Sequence, residues 1–92
     1  MKYYYKLDRP PITVYIMGED TKSNYFITSV NDETGKVVAE EAILITDEGR
    51  LAPAKIGSYV ILSSPSGQIS FHVSELKDVS EKTFMTAIGV IQ

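Results

Sequence analysis

The apolar segments of this chain are short, and turn-forming residues close off nearly every one. ITVYIM (12–17), NYFITSV (24–30), SYVILSS (58–64) and QISFHVS (68–74) are rich in β-branched and aromatic side chains. GEDTKS (18–23), NDETGK (31–36), DEGR (47–50) and Pro65-Ser66-Gly67 separate or follow such segments. A segment of this length cannot bury a helical stripe, but it fits a half-buried pleated strand. Tight turns between neighbouring segments favour antiparallel pairing, because parallel strands need a long crossover. The pattern therefore predicts an all-β fold.

Local signals refine that outline. Pro10 and Pro11 cannot donate to a ladder and are expected before the first strand, leaving 1–11 as an N-terminal arm or edge strand. Gly35 supplies the positive φ that a hairpin turn with a bulge requires. KVVAEEAILIT (36–46) reads as a strand with a bulge near Glu40 and Glu41, since adjacent glutamates put a carboxylate on each face. A helix over 36–45 is the alternative, because Val38, Ala42 and Ile45 also fall at helical spacing. Pro53 makes LAPAKIG (51–57) irregular. SELKDV (74–79) predicts one helical turn capped by Ser74. TFMTAIGVIQ (83–92) is expected to be the closing strand, with Ala87 and Gly89 on one face. The sum is a mainly antiparallel, six-stranded barrel of SH3-like or oligonucleotide-binding type, with a compact sandwich or an α+β fold as alternatives.

Length and charge limit what such a fold can do. Ninety-two residues, 43% hydrophobic and 23% charged, suit a single domain over 1–92 with one modest core. There is no cysteine, so disulfides and thiolate metal sites are excluded. The start, MKYYYKLDRPP, lacks the apolar core of a signal peptide, and apolar runs such as Ala42–Ile45 fall far short of the ~20 residues a membrane span needs. A cytoplasmic location without membrane contact is the expectation. Residues 31–49 hold six carboxylates and one lysine, whereas the flanks are each +1. Nucleic-acid binders usually carry the opposite sign on one face.

Chemical motifs are sparse. His72 alternates with Ser70 and Ser74, so it is expected on the outer face of its strand. It has no cysteine partner, and Ser63-Ser64-Pro65-Ser66-Gly67 is not a nucleophile elbow. Thr34-Gly35-Lys36 lacks the upstream glycine and following hydroxyl of a phosphate loop, and the acidic stretch misses calcium-loop spacing. No catalytic, cofactor or metal residues are assigned, and no enzyme is expected. Tyr3, Tyr4 and Tyr5 cannot all enter one core, because neighbours on a strand face opposite ways, so at least one is expected outside. Exposed tyrosine suits an interface.

His72-Val73-Ser74-Glu75-Leu76 resembles a stretch of ribosomal RNA-binding barrels with the oligonucleotide-binding fold. The resemblance spans five residues, and the preceding Val60-Ile61-Leu62-Ser63 has no ring on which a base could stack. It implies single-stranded RNA or DNA binding as a third reading. The first is a non-catalytic module that binds a protein partner, with Tyr3, Tyr4, Tyr5, Ser70, His72, Glu40 and Glu41 as contact residues. Small acidic domains without cysteine suit accessory or inhibitor roles of the kind found in phages and mobile elements. The second is a subunit that assembles with copies of itself through open strand edges.

Overall fold

A computed structural model describes residues 1–19, 24–46, 48–51 and 55–89. Seven strands form one antiparallel sheet: β1 (Lys2–Arg9), β2 (Ile12–Glu19), β3 (Asn24–Asn31), β4 (Val37–Leu44), β7 (Tyr59–Ser64), β8 (Gly67–His72) and β9 (Leu76–Asp78). Their order is β8-β7-β4-β3-β2-β1-β9. A small ribbon, β5 (Gly49–Arg50) and β6 (Ile56–Gly57), lies between β4 and β7 in the chain. The sheet curls into a half-barrel, and the 3₁₀ turn Val73–Glu75 carries the chain directly from one end strand, β8, to the other, β9. No helix among the described residues is long and apolar enough to cross a membrane.

Side-chain alternation explains the core. Tyr5 and Leu7 of β1 face Ile16 and Val14 of β2, and the same concave face continues through Ile27, Ala42, Leu62, Val60 and Phe71. Leu76 closes the set from β9, while Leu51, after the ribbon strand β5, is fully buried in the same cluster. The Tyr5 hydroxyl donates to the Leu51 carbonyl, tying the first strand to that segment.

The Tyr5 contact has a measurable consequence. Burial of the ring, with a smaller contribution from the Asp78 charge, pushes the Tyr5 pKa up to about 12. An unfolded tyrosine ionises near pH 10. The stability that comes from keeping this hydroxyl neutral is therefore intact below pH 10 and lost as the pH rises toward 12. Urea denaturation between pH 9 and 12 is expected to show that fall, and Tyr5→Phe to make it shallower.

Several local expectations are corrected. Segment 83–92 was expected to close the barrel as a strand; instead Glu81–Ala87 forms helix α1. Ser80 caps it by accepting the Thr83 N–H at 3.0 Å, and Phe84 is its buried anchor. Ala87 therefore belongs to a helix, and Gly89, at φ +87°, follows its end. Residues 90–92 lie outside the described residues. The single turn of 3₁₀ spacing expected at 74–79 is present but shorter, at Val73–Glu75, capped by His72 and not Ser74, with β9 after it. Pro10 and Pro11 sit in the turn between β1 and β2, not ahead of the first strand. Nor is β1 an arm or an edge: it pairs with β2 along its length and with β9 over Tyr5–Leu7. β4 is a strand, so the helix over 36–45 is not formed. Its register against β3 runs without a bulge from Val30↔Val37 to Asn24↔Ile43. Glu40 and Glu41 do occupy opposite faces: Glu41 is exposed, and Glu40 is half-buried with its carboxylate accepting from the Ser66 hydroxyl. Of the predicted turn DEGR, Gly49 and Arg50 belong to β5.

Candidate interaction surface

Strand alternation that fills the concave side also fixes what the convex side displays. α1 covers one part of it: the Phe84 ring packs 4.9 Å from Tyr4 and 6.2 Å from Tyr15, centroid to centroid. The other part, on β4, β7 and β8, carries no helix among the described residues. Ile45 N–H donates to the Ile61 carbonyl at 3.0 Å, setting these residues side by side across β4 and β7. Ile43 lies two residues along, opposite Ser63. Tyr59 faces His72 across the hairpin, its ring edge-on to the imidazole at 5.9 Å. Ile43 is 53% exposed, Ile45 45% and Tyr59 50%. Ser70 and His72 of β8 border this apolar row, as does Glu41 of β4.

His72 is chemically occupied. Its Nδ1 accepts the Ser74 N–H at 3.1 Å and lies 2.7 Å from Ser74 Oγ. Its own N–H donates to Glu75 Oε2 at 2.8 Å. Together these contacts form a capping box at the start of the 3₁₀ turn. An Nδ1 holding a backbone N–H leaves the ring proton on Nε2. Arg9 steadies the same corner, 3.6 Å from Glu75 Oε2 and donating to the Ser70 carbonyl at 2.8 Å. The arrangement positions a turn and presents the imidazole beside Tyr59.

The residues singled out in the sequence therefore separate. Ser70 and His72 adjoin the apolar row. Glu41 is exposed on the convex face, whereas Glu40 points to the concave side and accepts the Ser66 Oγ–H at 2.7 Å. Hydrogen bonds from Ser66, then Ser64, hold the Glu40 carboxyl below its ordinary range. The tyrosine triplet does not supply an exposed ring: Tyr5 is buried and Tyr3 and Tyr4 are half-buried. Tyr3 packs on the core and Tyr4 under Phe84. Helix α1, absent from the sequence-based outline, is what hides Tyr4.

Ile43, Ile45, Tyr59 and Ile61 were missed as surface residues, although their signal is present. In AILI and YVIL every position is apolar, and a strand with two faces must send half of such a run outward. Among the described residues no group of three or more His, Asp or Glu is placed to hold a metal ion. Comparison with known protein families, curated proteins and solved structures finds no match.

Proposed function

We propose that this protein is a non-catalytic interaction module that binds a protein partner through the convex face of β4, β7 and β8. One observation carries the reading: three large apolar side chains, Ile43, Ile45 and Tyr59, are about half exposed around Ile61 on a barrel whose concave face is well packed. Scattered apolar residues on a surface are ordinary, but a contiguous row with a polar rim marks a contact site. The rim here is Ser63, Ser70, His72 and Glu41. Single-strand nucleic-acid binding has less support. Lys6 and Lys77 pair with Asp8, Arg9 with Glu75, and Lys55 with Asp78, so these cations face carboxylates and do not line a groove for phosphates.

Affinity capture from a lysate of the source organism, with the wild type and the Ile45→Glu/Tyr59→Glu variant side by side, tests the proposal. Both substitutions lie on the exposed face, so the variant should keep the wild-type circular dichroism spectrum. A protein retained by the wild type and lost by the variant is expected. Identical captures by the two would overturn the reading.

A further inference from the structure

Curled sheets have open edges, and this one treats its edges unequally. At β8 the Ser70 carbonyl is taken by Arg9 and the His72 N–H by Glu75. At β9 the Leu76 carbonyl accepts from Lys55 Nζ at 3.1 Å. Charged side chains thus occupy backbone groups that could pair with another strand, a common way of blunting an edge.

The third edge lies along β4. β7 pairs with it only at Ile43 and Leu44, so Val37–Ala42 has a strand neighbour on the β3 side alone. The phase of the ladder follows from its two ends. Asn31 N–H donates to the Lys36 carbonyl at 2.9 Å, and Ile45 N–H to that of Ile61. Alternate residues of an antiparallel strand bond to opposite sides. Val38, Glu40 and Ala42 therefore bond toward β3, while Val37, Ala39 and Glu41 turn N–H and C=O to the opposite side, where β7 does not pair with them and the β7–β8 turn comes up to Glu40 through the Ser66 hydroxyl. No described side chain caps these groups. Val37 is 47% exposed, and Ala39 and Glu41 are exposed as well.

We infer that this edge takes up an extended basic segment of a partner protein by β-strand addition. The inference rests on the protein-binding reading and names how the partner engages; the edge runs directly into Ile43 of the apolar row. Charge selects the occupant. Glu40 and Glu41 border the edge within a stretch, 31–49, of net charge −5. A second copy would bring two such stretches together, and a six-residue ladder is far below the roughly 1,200 Å² of a stable interface. A foreign strand with lysines beside Glu40 and Glu41 and apolar residues beside Val37 and Val38 meets both demands, with main-chain bonds supplying affinity.

The probe is a fluorescein-labelled peptide, Thr-Lys-Lys-Thr-Val-Val-Thr, titrated by anisotropy against the full chain. Antiparallel pairing sets its lysines beside Glu41 and Glu40. Ala39→Pro removes a donor that β3 does not use, so the circular dichroism spectrum should be retained. Saturable binding is expected to weaken at least roughly tenfold with Ala39→Pro, an effect of about 1.4 kcal/mol. It should weaken similarly when the peptide lysines become glutamates, or when the peptide is N-methylated at its edge-facing positions. The N-methyl arm needs no protein variant and decides the matter if Ala39→Pro unfolds. Absence of saturable binding, or binding indifferent to N-methylation, overturns the inference. So does sedimentation showing a wild-type dimer that Ala39→Pro abolishes, since the occupant would then be a second copy. A captured partner lost by Ile45→Glu/Tyr59→Glu but kept by folded Ala39→Pro would sink the edge inference alone and leave the surface reading standing.

Discussion

Phe71→Ala should lower the free energy of unfolding by about 3–5 kcal/mol. Phe71 is 1% exposed, opposite Val60 on the concave face, and shares the core with Leu7, Ile16, Leu51 and Leu62. Removing the ring costs its transfer free energy and leaves a cavity that a tightly packed curled sheet cannot readily collapse around. A small domain has only about 5–15 kcal/mol in total. Urea denaturation followed by circular dichroism should therefore show a midpoint greatly reduced, or no folded baseline. A loss below about 1 kcal/mol would mean that the two ends of the half-barrel are not packed against each other as described.

Gly57→Ala is the second large effect, and its origin is backbone geometry. Gly57 adopts φ +87°, and a Cβ there would collide with the Glu48 carbonyl and lie 2.9 Å from the Gly49 Cα. Gly57 pairs with Gly49 across the ribbon, and a Cβ at Gly49 would in turn meet the Tyr59 carbonyl and the Val60 side chain. The ribbon must open to admit the methyl group. Left-handed strain contributes roughly 1–3 kcal/mol and the steric overlap adds to it. The loss should be seen in urea as a lowered midpoint. Gly35→Ala is the internal comparison: φ is +76° but a Cβ meets nothing within 4 Å, so only the strain is expected.

Much of the architecture was legible because it depends on period-two patterning. The hairpin 58–74, the turn at Gly35 and the outward placing of Ser70 and His72 follow from alternation and turn chemistry alone. What escaped was governed by packing between distant segments. Met85, Ala87 and Gly89 are as compatible with a strand as Phe84, Ala87 and Ile88 are with a helix. The Ser80 cap and the Tyr4 and Tyr15 rings that receive Phe84 decide the outcome. β1 was placed at the margin because the partner that makes it internal, β9, is some seventy residues away in the chain. The candidate surface was half legible for the same reason. Parity alone puts Ser70 and His72 outward, whereas Tyr4 is hidden by helix α1, which strand alternation does not signal.

That separation also bears on how the molecule is made. Strand β1 has Tyr5 and Leu7 flanked by Asp78 and Leu76, and its Tyr4 ring roofed by Phe84. Until residues 76–87 have been synthesised, one flank and one face of β1 remain bare. A nascent chain that displays residues 1–75 outside the ribosome should consequently be bound by chaperones or cut by protease where one that displays 1–89 is not, because β1 is covered only once its distant partners are present.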